Sequence, residues 1–221
     1  MSRPADGERP VLYTCERSRG LRVSWTAAEL GIELDYRILP FPPRAHTREY
    51  FEINPLGTVP ALVHDGHTMT ESSAIAHYLA TRWGPSPLAV NPDEADYGVF
   101  LDFLHHADAT LTFPQTVYQR FVLMEPARGF REAGEAYATW YAKRLVKAEQ
   151  RLAMREFLCA DRFTVADIAV AYALYLSTLN GLDHLVPKVL KDYRERMTAR
   201  AGFIAAVAAE AAAAARANGL T

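Results

Sequence analysis

The sequence predicts an α/β domain followed by an all-α domain. Before residue 84, short apolar runs of strand length alternate with segments of helical periodicity, in the order strand, helix, strand, helix, hairpin, helix. Gly84-Pro85-Ser86-Pro87 and Asn91-Pro92 then place two strong stops close together. Beyond them every long segment reads as helix. The implied domains are residues 10–84 and 92–221, with 85–92 as the linker.

The elements follow in order. Residues 1–10 are polar and read as a flexible leader, with no apolar stretch of the kind a secretory signal carries. Val11-Leu12-Tyr13 is a short apolar strand. Ser18 is placed to cap a helix whose apolar positions Val23, Ala27 and Leu30 keep helical spacing up to Gly31. Leu34 to Ile38 alternates as a half-buried strand. Strand, helix, strand in succession implies parallel pairing with a right-handed crossover. Pro40, Pro42 and Pro43 oppose regular structure, and 45–53 reads as one short helix. Asp65-Gly66 joins two strands as a tight hairpin. Residues 71–83 form a helix with Ile75, Tyr78 and Leu79 inward.

In the second half, helices are expected over roughly 93–124, 130–154, 164–180, 187–200 and 202–217, the first kinked or broken at Pro114. Thr164-Val165-Ala166-Asp167 has the form of a capping box, and Phe163 before it can staple onto Ile168. The following helix is apolar nearly all round, which marks it as the buried centre of its domain. The alanine-rich end, 205–217, reads as a helical tail that carries no chemistry.

Composition narrows the function classes. The chain has 24 Lys+Arg against 26 Asp+Glu, so an anionic nucleic acid or membrane surface gains no electrostatic support. No apolar run approaches the roughly 20 residues of a membrane span. Two cysteines, Cys15 and Cys159, lie far apart without metal-type spacing, as in a reduced cytoplasmic setting. The adjacent pair His105-His106 is not a metal site, because neighbouring helical side chains diverge by about 100°.

The chain is organised around Asn54-Pro55-Leu56-Gly57-Thr58-Val59-Pro60-Ala61-Leu62 and the nearby Thr70-Glu71-Ser72-Ser73. The first stretch is a loop turning on Pro55 and Gly57 into a strand whose first residue need not donate to the ladder. The second opens a helix, whose free N–H groups and dipole favour an anion. A peptide-like anion is therefore expected between them. These residues resemble the glutathione-binding half of the cytosolic glutathione transferases, of the bacterial type, and the capping box at Thr164 resembles the mark of that family's C-terminal domain. The resemblance covers roughly residues 11–205. It implies a thioredoxin-like βαβαββα domain ahead of an all-α domain, glutathione as co-substrate with no metal, a small hydrophobic electrophile as second substrate, and a homodimer, with Arg82 and Asp96 as polar contacts between protomers.

The resemblance also assigns roles. Val59 pairs with the peptide backbone of glutathione, Pro60 fixes the turn, and Glu71 and Ser72 hold the γ-glutamyl end. His46 or Arg44 meets the glycyl carboxylate, since Thr58 stands where many relatives carry a lysine. The electrophile pocket is expected between the domains, walled by Tyr13, Phe41, His106, Phe113, Tyr118 and Tyr172.

The chemistry sets one further demand. A thiol of pKa near 8.5 must drop by about two units, or ~2.7 kcal/mol, to be mostly ionised at neutral pH. A helix N-terminus supplies about 0.3–1 kcal/mol, up to ~2 when partly buried. One hydrogen bond to the charged sulfur adds about 1.5–3 kcal/mol. Both together suffice, so an activating group is expected at the first turn of the first helix. Ser18 corresponds to the serine-type transferases, Tyr13 to the tyrosine-type, and Cys15, in a C-x-x-S pattern, to the cysteine-type. A nucleophilic Cys15 would imply thiol–disulfide exchange instead of conjugation. A non-catalytic binding module on the same fold is the third reading.

Overall fold

The structure is a computed structural model that describes residues 9–219. The leader expected at residues 1–10 lies mostly outside the described residues. The chain divides into two compact units. One contains the described residues up to Ser86 together with those from Ala199 onward, and the other is Pro87–Thr198.

In the first unit, strands β1 (Val11–Thr14), β2 (Asp35–Ile38), β3 (Ala61–His64) and β4 (His67–Met69) form one sheet in the order β2-β1-β3-β4. β1 and β2 are parallel, with Leu12 opposite Tyr36, because helix α1 (Leu21–Leu30) carries the chain back between them. β3 runs antiparallel to β1, and β4 to β3. The β3–β4 turn has φ of 51° at Asp65 and 73° at Gly66, the double left-handed conformation that an Asp-Gly pair adopts readily. Leu12, Leu62, Val23, Ala27, Ile75 and Leu79 make the core between the sheet and helices α1 and α3 (Ser72–Thr81). This is the thioredoxin-like arrangement.

Local chemistry moved several boundaries. Helix α1 begins at Leu21 with Gly20 at its cap, and not at Ser18. The segment expected as one helix over 45–53 is a turn of helix α2 (Pro43–His46), which uses Pro43 at its first position, and a 3₁₀ turn at Arg48–Glu52. Thr47, extended at φ −134° and ψ 90°, separates them.

The largest departure is the C-terminal helix α10 (Ala201–Ala217). The sequence placed it in a helical domain of 92–221, yet it packs on α1 and β2 of the first unit. Trp25 meets Phe203 edge-on at 5.0 Å, and Arg200 forms a two-pronged pair with Glu29 at 2.8 and 2.9 Å. Consequently α1 is buried on every side from Leu21 to Ala27, polar residues included.

In the second unit the chain from Tyr97 to Met124 stays helical in alternating registers: α4 (Tyr97–His106), a wide π turn at Ala107–Thr112, α5 (Phe113–Tyr118) and a second π turn at Gln119–Met124. The wide turn comes just before Pro114, which has no N–H to give. Thr112 Oγ1 donates to the Ala107 carbonyl at 2.7 Å and Gln115 Nε2 to that of Leu111 at 3.1 Å, so side chains satisfy carbonyls near the break. Helices α6 (Arg131–Arg144), α7 (Val146–Leu152) and α9 (Lys188–Thr198) complete the unit around α8 (Val165–Leu179).

Helix α8 is buried over nearly its whole length behind the expected capping box. Asp167 Oδ2 accepts from the Thr164 N–H at 2.9 Å, and Oδ1 accepts from the Leu158 N–H at 3.0 Å and the Tyr193 hydroxyl at 2.7 Å. The stretch expected as a linker is instead built into this unit from Pro87. Leu88, Ala89 and Val90 are buried, and Arg162 donates to the carbonyls of Pro87 and Ala89 and to Glu94 at 2.7 and 2.8 Å. That grip pulls the Glu94 carboxyl down to about 2. Arg82 and Asp96, expected between protomers, are engaged within the chain: Arg82 with Asp65 at 2.8 Å, Asp96 with Arg151 at 3.0 Å and the Ala160 N–H at 2.8 Å. No single helix among the described residues is long and apolar enough to cross a membrane.

Candidate functional site

The loop at 54–60 is held by its own polar groups. Asn54 is buried. Its Oδ1 accepts from the Leu56 N–H at 3.0 Å, and its Nδ2 donates to the Thr58 carbonyl at 2.8 Å and the Thr58 hydroxyl at 3.1 Å. The Tyr50 hydroxyl donates to the same carbonyl at 2.6 Å. Gly57 takes φ 59°, and a Cβ there would come within 2.9 Å of both Arg44 Cβ and the Phe51 ring. The peptide bond between Val59 and Pro60 is cis. Val59, half-buried at the end of this clamped loop, makes no backbone bond to the surrounding turns among the described residues.

Glu71 occupies the N-cap of α3 with extended backbone, and its carboxylate is exposed and makes no cap bond. Ser72 is buried, and its Oγ accepts from Arg22 Nη1 of α1 at 3.0 Å. A hydroxyl that accepts from a guanidinium keeps its own proton for donation. Arg22 has no exposed surface, and nothing in the spacing of α1 announced it. Its place is explained only by the burial of α1 on all sides.

The turn from β1 into α1 gathers Thr14, Ser18 and Gly20. Ser18 Oγ lies 3.1 Å from Thr14 Oγ1 and accepts from the Gly20 N–H at 3.2 Å. A Cβ on Gly20 would fall 1.9 Å from Thr14 Oγ1, so glycine is required there by contact and not by backbone angle. Arg17 is left-handed at φ 58°.

Two sequence expectations are corrected here. Cys15 is not an exposed nucleophile: it is 3 % exposed, and burial, with Glu210 adding to it, pushes its thiol up to about 12. A thiol held protonated is inert. Tyr172 is not a pocket wall but part of the core around α8, 1 % exposed. Tyr13 is half-buried. Its ring packs against Tyr50 at 5.7 Å, and it lines a cleft of about 440 Å³ with Tyr36, Leu39 and Arg216. Phe41 is exposed, and so are Arg44 and His46, which belong to α2. His106 and Phe113 line a separate cleft of about 500 Å³ in the second unit, with Tyr137, Trp140 and Lys143, while Tyr118 stands outside it. Among the described residues, no three His, Cys, Asp or Glu side chains gather as a metal site.

Residues 18–82 match the family model of the glutathione S-transferase N-terminal domain. Over 202 residues the chain is 31 % identical to glutathione S-transferase 3 of Zea mays, covering 86 % of this chain and 88 % of that one. The chain belongs to the glutathione S-transferase family. Glutathione S-transferase 3 of Schizosaccharomyces pombe is 23 % identical over 200 residues, covering 85 % of this chain and 81 % of that one. Among solved structures, the glutathione transferase URE2P6 of Phanerochaete chrysosporium, in complex with oxidized glutathione, shares the fold with a TM-score of 0.78 at 22 % identity, over 93 % of this chain and 97 % of that one. Within this glutathione S-transferase, Thr14, Arg22, Tyr50 and Asn54 support the candidate residues, and the first three did not stand out in the sequence. The one available signal was Asn54, an amide that opens the turn and is able to bond the backbone ahead of it.

Proposed function

We propose that this glutathione S-transferase binds glutathione on its first unit, activates the thiolate with Ser18, and adds it to a small hydrophobic electrophile. The observation that carries the reading is the Ser18 hydroxyl, bonded to Thr14 at 3.1 Å beside the start of α1, with the neighbouring Cys15 buried. Thr14 also donates to the Cys15 carbonyl at 3.1 Å. When it does, its oxygen accepts from Ser18 or leaves the Ser18 proton for a sulfur. The clamped loop presents the peptide groups of Val59 to the glutathione backbone, with Pro60 fixing the turn. Ser72, already accepting from Arg22, donates to the γ-glutamyl carboxylate, and exposed Glu71 meets the ammonium. Arg44 and His46 are the cations for the glycyl end. Phe41, Tyr13, His106, Phe113 and Tyr118 remain the proposed aromatic contacts for the electrophile. The protein is further proposed to act as a homodimer in the reducing cytoplasm, where its two free cysteines stay reduced.

The test is the ultraviolet thiolate absorbance of bound glutathione against pH. In the wild type the bound thiol ionises well below the free one. Ser18→Ala raises that pKa by about 1–2 units, the equivalent of one hydrogen bond to a charged sulfur. Cys15→Ser leaves turnover in place. Glutathione that binds with an unshifted thiol defeats the reading, as does a Cys15→Ser variant that alone loses activity.

A further inference from the structure

Helix α10 is rich in alanine, and its single acidic residue faces inward. Glu210 is 2 % exposed. A buried carboxylate without a cation is costly unless its oxygens are hydrogen-bonded, and no cation pairs with Glu210 among the described residues. Its two oxygens are used separately. Oε1 accepts from the Ser24 hydroxyl of α1 at 2.8 Å, and Oε2 accepts from the Arg17 N–H at 3.2 Å. Arg17 immediately precedes Ser18 and sits in the left-handed region, at φ 58°, which a non-glycine residue enters only when its surroundings hold it there. The other bonds described above for this turn, between Ser18 and Thr14, from Thr14 to the Cys15 carbonyl and from the Gly20 N–H to Ser18, are local. Glu210 reaches it from 193 positions downstream.

We propose that Glu210 is a positioning residue: its carboxylate, carried by the C-terminal helix, holds the Arg17 backbone so that the turn presents Ser18 to the thiol of glutathione. The inference rests on the Ser18 reading given above.

The tie is also sensitive to pH. Burial, with Glu16 adding to it, raises the Glu210 carboxyl to about 7. Among the described residues, the other groups facing it include Ser24 on α1, Cys15 in the turn and Tyr36 on β2. Protonation turns one of the two acceptor oxygens into a donor, and the longer bond, to Arg17, is the one lost. As pH falls through about 7, Ser18 therefore loses its anchorage while the thiolate takes up its own proton.

The experiment follows two signals across pH 5.5–8.5: amide hydrogen exchange over residues 15–20, and thiolate absorbance of bound glutathione. The variants are wild type, Glu210→Gln, Glu210→Ala and Ser18→Ala. In the wild type, exchange over 15–20 accelerates as pH falls below about 7 once the intrinsic pH dependence is removed, and thiolate is lost more steeply than one proton allows. Glu210→Gln keeps the geometry without the charge: its amide oxygen takes the Arg17 N–H and its NH₂ donates to Ser24 Oγ. It protects 15–20 at every pH and shows a one-proton limb. Glu210→Ala exposes the segment, with exchange about tenfold faster at all pH values, as expected for losing one charge-assisted bond. A Glu210→Ala protein with wild-type exchange and wild-type thiol titration overturns the proposal. So does a wild type whose limb matches that of Glu210→Gln, and that comparison decides the matter should Glu210→Ala not fold. If Ser18→Ala leaves the thiol titration unchanged, the Ser18 reading fails, and the exchange data alone decide whether Glu210 ties the turn.

Discussion

Asp167→Ala lowers the stability of this protein by about 3 kcal/mol or more. The carboxylate sits at the first turn of the most buried helix, and it satisfies the N–H groups of Leu158 and Thr164 and the hydroxyl of Tyr193. All three partners are enclosed. Removing the acceptor leaves three buried donors without one, at about 1–3 kcal/mol each. The loss is offset in part, because the variant no longer buries a charge: burial raises the Asp167 carboxyl from 3.8 to about 6 despite those bonds. The donors outweigh that relief, so the midpoint of thermal unfolding falls by roughly 6–12 °C, at about 2–4 °C per kcal/mol for a chain of this size. The shifted carboxyl also has a pH signature. Its folded pKa lies above its unfolded one, so the stability it contributes is full below about pH 4 and is lost as pH rises through about 6. Asp167→Ala abolishes that part of the pH dependence. Thermal melts of both proteins between pH 4 and 7 check the two effects together, and an unchanged midpoint at pH 7 would show that the donors find water instead.

Gly20→Ala has the largest expected effect on the site. Its backbone, at φ −61° and ψ −24°, suits any residue, so the penalty is purely steric. The new methyl would stand 1.9 Å from Thr14 Oγ1 and 2.7 Å from its Cβ. No rotation of Thr14 clears a Cβ contact, so β1 and the start of α1 must separate. Overpacking of this kind costs about 1–3 kcal/mol. The functional loss is of comparable size, because the displaced group is the partner of Ser18, the proposed activating group. A shift near 1 Å at such a group lowers turnover by about a hundredfold. Steady-state kinetics with a generic electrophile, alongside a melt, measure both. A variant that unfolds earlier yet turns over normally would mean that Ser18 does not depend on Thr14.

Much of this was legible before any coordinates. The Asp65-Gly66 hairpin, the capping box at Thr164 and the parallel β1–α1–β2 unit each rest on interactions between residues close in sequence or on a rule of connection, and each formed. The helix expected over 93–124 begins at Tyr97 and stays helical through Pro114 by widening into π turns, a choice that short-range pattern does not reveal. The candidate site divided along the same line. Asn54 to Pro60 and Glu71-Ser72 announce themselves as a turn and a helix start. The groups that hold them in place, Tyr50 on the Thr58 carbonyl and Arg22 on Ser72, come from other elements. Cys15 and Tyr172 were misjudged for one reason: a residue type says what a side chain can do, and its burial decides whether it does it.

The sequence by itself determined the order of the elements, the thioredoxin-like sheet, the helical character of the second half and the family. Those properties follow from hydrophobic period, turn chemistry and caps, all of which act over a few residues. Only the tertiary structure decided where the C-terminal helix goes. Seen as a string, 205–217 is alanine with nothing to recommend it, and α1 is a helix with one apolar face. Once α10 lies along α1 and β2, every side of α1 is enclosed, Arg22 and Ser24 become interior groups, and Glu210 arrives beside Arg17. That contact joins residues 193 positions apart. No local rule specifies it, because the surface that α10 covers exists only once β1, α1 and β2 have come together.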